Sequence, residues 1–464
     1  MTLQPYNSEQ STVSQYSAAA VIGLGATGYS VVRYLRARGL EVVVLDSRDE
    51  PPLAKQVSEL YPEVKCYFGA FDYANIANMS LVVASPGVAL SEPLLREAKY
   101  EGARIIGDIE LFLEENYKPV IALTGSNGKS TVVTLAGEMC QSAGLNALVA
   151  GNIGLPALDA LTDSKEYDVA VLELSSFQLE TTFQVPADSA AILNISEDHM
   201  DRYDSMGDYV LAKARIIRGA KRVVLPRHDE QLKQITNIGD ASYFDLDEPT
   251  SENDFGIKRQ SHTRWLMHGD ERLMKVSDIP LIGLHNVKNV LSAFALVDFL
   301  NLPLTNLVDA VKSFKGLPHR MQTVSVHNGI SWVNDSKATN IGATSTALKN
   351  VESDVVWIAG GEGKGADFTQ LRDAVTANIK HLIVLGADAE QIKAALDGLL
   401  PISHVDDMNE AVSLAAQHAS DASIVLLSPA CASFDMYRGF EHRGEVFAQC
   451  VNALNTDTQD GGVS

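Results

Sequence analysis

Short apolar runs recur along this chain, each followed by a turn rich in Gly or Ser and then by residues with the apolar spacing of a helix. Residues 19–24, 41–45, 81–84 and 104–106 read as strands, and 29–38 as a helix that Gly39 closes. Such alternation predicts βαβ units on a parallel sheet. A second block repeats it, with strands at 120–123, 168–174, 189–195 and 221–225 and a helix running to about Gly144. From about 241 to 282 the pattern turns to short strands, 263–267 among them, before a helix over 286–300. A third block opens near Gly316, with strands at 331–334, 354–359, 381–385 and 423–427. The expected fold class is α/β with three domains, 1–108, 109–316 and 317–464, in keeping with a length of 464 residues. The polar start and the tail from about Asn455 read as frayed ends.

The turn after the strand at 120–123 carries the clearest chemistry. Thr124-Gly125-Ser126-Asn127-Gly128-Lys129-Ser130-Thr131 is a nucleotide-phosphate cradle. Two glycines let backbone N–H groups face phosphate oxygens, Lys129 supplies a cation, Ser130 can ligate Mg²⁺, and the following helix adds its positive end. Leu123 stands where the stricter P-loop pattern has glycine. The central block is therefore read as a P-loop-type ATPase domain with a small extra β-sheet, flanked by Rossmann-like N-terminal and C-terminal domains.

Other candidates also fall at strand exits, where parallel sheets bind ligands. Gly23-Leu-Gly25-Ala-Thr27-Gly28, trailed by Asp46-Ser47-Arg48, has the spacing of a dinucleotide fingerprint and equally suits another nucleotide diphosphate. Glu173, in Glu173-Leu-Ser175-Ser-Phe-Gln178, can hold the nucleotide's Mg²⁺. His199, among Glu197, Asp198, Asp201 and Arg202, can ligate a metal, orient a phosphate or serve structure alone. Lys213 by itself reads as a solvated helix residue. Asn286 and Asn289 cap a helix or read an adenine edge. Arg320, the cluster Asn334 to Asn340 with Asp335, Lys337 and Thr339, and the loop carrying Lys364 suit an acidic ligand and a γ-phosphate. Cys431 has no basic neighbour in sequence and reads as packing.

Charge narrows the partners. With 37 basic and 59 acidic residues the net charge is −22, which argues against a nucleic-acid surface. Four scattered cysteines suggest no zinc site and no disulfide framework, and fit a reducing cytoplasm. No leader or spanning segment is evident, so no membrane insertion is expected.

Taken together, the motifs at 124–131, 151–158 (GNIGLPAL), 172–182 (LELSSFQLETT), 193–203 (LNISEDHMDRY), 316–320 (GLPHR), 334–340 (NDSKATN) and 426–435 (LLSPACASFD) resemble the Mur ligase family, over about 21–447. Within it the match is to cytoplasmic members that add D-glutamate. The resemblance implies three substrates, UDP-N-acetylmuramoyl-L-alanine, D-glutamate and ATP, joined through an acyl phosphate in a monomeric enzyme with two Mg²⁺ ions. It implies that Gly25, Thr27, Ser47, Arg48, Asn152, Ser175 and Gln178 serve the UDP substrate. It places Gly125 to Thr131, Asn286, Asn289, Arg320 and Asp335 on ATP, and Ser130, Glu173, His199 and a carbamylated Lys213 on the metals. Lys129, His199 and Lys213 would be catalytic. Lys337, Thr339, Lys364, Ser433, Phe434 and Phe440 would surround the amino acid. Ser47, Phe434 and Gly365 depart from the family's usual Thr, Leu and Ser. The competing classes are an NAD-dependent oxidoreductase, a nucleotide-gated interaction module and a folate polyglutamate ligase.

Overall fold

The structure, a computed structural model, describes residues 13–196, 202–235, 241–281, 283–351, 353–363 and 365–460; for 234 and 455–460 it describes the backbone alone. His199 and Lys364 lie outside the described residues. The chain divides into two compact units, Met1–Asp278 with Lys288–Lys312, and Ile279–Val287 with Ser313–Ser464.

In the first unit, β1 (Ala18–Ile22), β2 (Glu41–Asp46), β3 (Lys65–Phe68), β4 (Leu81–Ala84) and β5 (Arg104–Ile106) form a parallel sheet in the order β3-β2-β1-β4-β5. The connections leave β1 toward opposite sides, which opens a crevice at its carboxyl end. A second sheet follows: β6 (Val120–Thr124), β7 (Ala147–Gly151), β8 (Val169–Glu173), β9 (Ser189–Ile192), β10 (Val223–Pro226), β11 (Ala241–Phe244), β12 (Phe255–Gln260), β13 (Thr263–His268) and β14 (Glu271–Lys275). Its order is β14-β13-β12-β11-β10-β9-β6-β8-β7, so the strand order reverses at β6, where the phosphate loop begins. The short strands expected after 241 join its edge, through Phe244 opposite Phe255, and continue antiparallel.

One hydrophobic core runs through both sheets of this unit, from Val21, Val44 and Val83 to Ile109 and Phe112 and on to Ala122, Leu172 and Ile192. The helix Ala26–Ala37 lies against Ala157–Thr162: Ser30 Oγ donates to Asp159 at 2.8 Å, and Arg33 pairs with Asp159 at 2.8 Å. With Arg33 a quarter exposed, this ion pair contributes at most about 1 kcal/mol, and the shared apolar core dominates.

The second unit holds β15 (Gln322–His327), β16 (Ile330–Asn334), β17 (Val355–Gly360), β18 (Ile379–Leu385), β19 (Ile402–His404) and β20 (Ile424–Leu427), in the order β15-β16-β20-β17-β18-β19. The hairpin joining β15 to β16 turns on Asn328 (φ 50°) and Gly329 (φ 77°), the left-handed pair that matches strand twist. Apolar side chains cover both faces, Trp357 and Leu382 on one, Ile358 and Phe447 on the other. The helix Phe440–Asp460 carries on past 455, where a frayed tail was expected. Helical bonds are local, so a terminal helix can extend with no further core to bury. Among the described residues no helix is long and apolar enough to cross a membrane.

Candidate active site

The first glycine motif is built around close approach. Gly23 has φ +91°, and a Cβ on Gly28 would sit 1.9 Å from the Gly23 carbonyl oxygen, so the helix Ala26–Ala37 can meet β1 only if position 28 lacks a side chain. Beyond this turn lies a cleft of about 630 Å³. Six of the residues expected to serve a UDP substrate line it: Gly25, Thr27, Ser47, Arg48, Asn152 and Gln178. Phe71 and the loop Ser85 to Val88 line it too, and no pattern in the sequence had marked them.

Asp46 lines the cleft but is already engaged. Its carboxylate accepts from Leu24 N at 2.7 Å, Arg48 Nε at 2.8 Å and Arg48 Nη2 at 2.6 Å. Burial alone would raise its pKa, but Arg48 and the backbone donors outweigh that and hold it at about 2. A ribose hydroxyl would therefore meet an acid that Arg48 has oriented.

Ser175 lies apart from that lining. Its hydroxyl accepts from Gln178 N at 3.1 Å while Gln178 Oε1 accepts from Ser175 N at 3.1 Å, a reciprocal cap on the helix Ser176–Glu180. This fixes Gln178 at the cleft wall.

The phosphate loop is clamped from β9. Ser126 N donates to the Asn194 carbonyl at 3.0 Å, Asn127 N to Asn194 Oδ1 at 2.8 Å, and Asn194 Nδ2 to the Asn127 carbonyl at 2.9 Å. Ser126 Oγ donates to the Ser196 carbonyl at 2.9 Å and lies 3.0 Å from the Tyr209 hydroxyl. Ser126 and Asn127 thus direct their backbone N–H groups to Asn194, and the helix Lys129–Ser142 that follows carries Ser130 and Thr131 in its first turn. Gly128, at its N-cap, has φ +81°, and a Cβ there would lie 2.4 Å from Asn289 Oδ1. Asn289 is thus beside the loop.

Two lysines converge on the loop. Lys129 Nζ donates to the Ser126 carbonyl at 2.8 Å. Lys213 is buried, with its Nζ donating to the Gly125 carbonyl at 2.8 Å and lying 4.7 Å from the Tyr209 ring centroid. The residue that reads as solvent-facing on its own is thus seated against the phosphate loop.

Glu173 ends β8, in register with Leu123 of β6 and Gly151 of β7. Its Oε1 accepts from Asn152 Nδ2 at 2.9 Å, whereas Oε2 is buried with no hydrogen-bond partner among the described residues, as is Thr124 Oγ1 at the end of β6. A buried carboxylate oxygen without a donor is costly, and a divalent cation with hard oxygen preference would satisfy it. These residues fit Mg²⁺. Among the described residues no cluster of three His, Cys, Asp or Glu is found.

In the second unit the exits of three adjacent strands face the same edge. β16 delivers Asp335, Lys337 and Thr339, β17 the glycine loop from Gly360, and β20 the segment Ser428 to Ser433. Asp335 accepts from Ser428 Oγ at 2.9 Å and Met321 N at 3.2 Å. Burial raises its carboxyl to about 7 despite these donors. Lys337 is exposed, with Nζ 3.7 Å from the Phe440 ring centroid. Ser433 is buried and Phe434 is 66% exposed. Arg320 is exposed, and Asn286 is buried in the first turn of the helix Leu284–Val297. Burial pushes the Cys431 thiol up to about 12, which removes it as a nucleophile.

Comparison with known proteins then decides the family. The Mur ligase MurD-like N-terminal domain matches residues 17–107, the Mur ligase middle domain 123–297, and the Mur ligase glutamate ligase domain 319–431. The UDP-N-acetylmuramoylalanine--D-glutamate ligase of Legionella pneumophila (strain Paris) is 43% identical over 448 residues, 95% of this chain and all of that one. This chain belongs to the Mur ligase family. The Pseudomonas aeruginosa relative of the same name is 44% identical over 439 residues, covering 94% of this chain and 97% of its own. Among solved Mur ligase structures, the UDP-N-acetylmuramate-alanine ligase of Thermotoga maritima aligns with TM-score 0.57 at 18% identity, covering 94% of this chain and 99% of that one. That likeness speaks for the fold.

For a Mur ligase, the motif reading missed three kinds of residue. Asn194 stood in a quoted motif but was given no role, because a loop clamp has no distinctive spacing. Arg202 was quoted too; its guanidinium lies 4.4 Å from the Phe177 ring centroid, pairs with Glu180 at 2.8 Å and reaches the Pro86 and Val88 carbonyls at 3.4 Å, so it braces the cleft loop. Arg443, buried beneath the second unit's strand exits, belongs to no motif.

Proposed function

We propose that this chain is the ligase that adds D-glutamate to UDP-N-acetylmuramoyl-L-alanine at the expense of ATP, in peptidoglycan precursor synthesis. One observation carries the reading: Asn152 lines the 630 Å³ cleft and also donates to Glu173 beside the phosphate loop. A single side chain links the chamber for a nucleotide-sugar acid to the place where a triphosphate and its metal would sit. An NAD-dependent oxidoreductase has no use for the second element.

A carboxylate does not accept an amine in neutral water, because oxide would have to leave. Transfer of the ATP γ-phosphoryl group to the L-alanyl carboxylate gives ADP and an acyl phosphate. The D-glutamate amine then attacks the acyl carbon; a C–N bond forms, the C–O bond to phosphate breaks, and inorganic phosphate leaves with the amine's proton lost to a base. Lys129 and the helix end hold the phosphates; Ser130 and Glu173 would hold one Mg²⁺, and His199 with Lys213 a second. The metal supplies charge neutralisation between two anions. For that role Lys213 carries a carbamate in this proposal, since an ammonium repels a dication. Asn286, Asn289, Arg320 and Asp335 would hold the nucleotide, and Lys337, Thr339, Lys364, Ser433, Phe434 and Phe440 the amino acid. In this proposal residues 1–108 serve chiefly the UDP substrate, 109–316 ATP and 317–464 the amino acid.

Phosphate release measured with UDP-N-acetylmuramoyl-L-alanine and a panel of amino acids tests the reading. D-glutamate should stimulate release above all others. Preference for L-alanine, a diamino acid or a dipeptide would assign the chain to another ligase of the family.

A further inference from the structure

The second unit contains a cation that none of its motifs predicts. Arg443 lies three residues into the helix Phe440–Asp460 and is 2% exposed. Among the described residues it forms no ion pair. Its guanidinium instead donates to Ser336 Oγ at 3.0 Å, the Ser336 carbonyl at 2.9 Å, the Cys431 carbonyl at 3.1 Å, and the Ala432 and Gly360 carbonyls at 3.3 Å. These acceptors lie on the exits of three different strands, β16, β20 and β17. Burial lowers its pKa to about 10, still well above neutrality, so it remains charged.

This arrangement explains close packing nearby. A Cβ on Gly361 would lie 2.1 Å from the Ala432 carbonyl and 3.2 Å from Arg443 Nη1, and Gly361 has φ +126°. Ser336 Oγ, which accepts from Arg443, donates to the Phe440 carbonyl at 2.8 Å, closing the set on the helix that carries the arginine. Lys337 follows Ser336, Ser433 follows Ala432, and Phe440 starts the helix. Lys337 and Ser433 are thus each one residue from an Arg443 partner, and Phe440 is one helical turn from Arg443 itself.

We propose that Arg443 is the positioning residue of the amino-acid site, fixing Lys337, Ser433 and Phe440 relative to one another through carbonyls on three separate loops. This rests on the ligase reading above. A guanidinium suits the task because its five donors lie in one plane and reach several acceptors at once, whereas an ammonium is a point donor. Neutral side chains of equal length leave five acceptor contacts unmade.

The test is steady-state kinetics of full-length Arg443→Met and Arg443→Lys, with KM determined separately for D-glutamate, ATP and UDP-N-acetylmuramoyl-L-alanine. D-glutamate-dependent phosphate release by the wild type checks the ligase reading independently of either variant. The expected result is a KM for D-glutamate raised about tenfold or more in Arg443→Met, with the other two KM values within about twofold and Arg443→Lys in between. An unchanged KM for D-glutamate, or equal change for all three substrates, overturns the proposal. Should Arg443→Met fail to fold, Ser336→Ala removes one acceptor and the bond to Phe440; it should raise the KM for D-glutamate selectively, and no selective rise overturns the proposal equally.

Discussion

Asn152 Nδ2 donates to Glu173 Oε1 at 2.9 Å, and the other carboxylate oxygen of Glu173 is buried without a donor among the described residues. A divalent cation would give that second oxygen a partner. Glu173→Gln should lower Mg²⁺-dependent turnover by roughly 100-fold, since a neutral amide is a poor ligand. The same change should leave the Tm measured without Mg²⁺ and ATP little altered, because the amide oxygen can keep the bond from Asn152. Thermal melts with and without Mg²⁺ and ATP, beside turnover, check both. A variant with wild-type Mg²⁺ dependence would remove Glu173 from the metal site.

Lys213→Ala should lose most activity and regain part of it with added formate or acetate, whose carboxylate fills the space of a carbamate. Rescue is measured as phosphate release against formate concentration. Undiminished activity without rescue would remove Lys213 from the metal site.

Gly128→Ala combines two penalties: a left-handed φ of +81° and a Cβ 2.4 Å from Asn289 Oδ1. The backbone strain alone costs on the order of 1–2 kcal/mol. ATP affinity should fall by at least about tenfold. Adding Asn289→Ala relieves the collision but not the strain, so calorimetry should show no full recovery.

Asp335 should make stability fall as pH rises from about 4 to about 7. Its carboxyl titrates near 7 when folded and near 3.8 when unfolded, so across that window the folded state binds more protons and loses its advantage as they leave. Asp335→Asn should flatten this slope in urea melts at pH 5 and pH 7.5. Asp46, held at about 2, acts in the opposite sense and only below about pH 4, where its protonation would cost stability.

The parallel sheets were legible because a buried strand is a continuous apolar run and its exit carries small or polar residues. Thus the phosphate loop after β6, Glu173 on β8 and Asp335 after β16 are found where the runs place them. β3 was missed, since Lys65–Phe68 alternates exposed and half-buried positions and has no such run. The hairpin strand β15 was missed for the same reason, although Asn328-Gly329 signals its turn. Residues that act through backbone carbonyls leave no local trace. Arg443 reaches Ser336, 107 positions away, and Asn194 reaches Asn127 at 67, and only the folded chain brings either pair together. Ser175 shows the converse, as its cap on Ser176–Glu180 is written locally in the three-residue step to Gln178.

The apolar interior common to β1 and β6 also bears on how this protein comes apart. Cutting the chain in the stretch 116–119 should not release two independent folding bodies. The fragments should stay associated and melt together, so damage on one sheet weakens ligand sites carried by the other. Substitutions beneath the first cleft and beneath the loop after β6 should then be coupled through their common foundation.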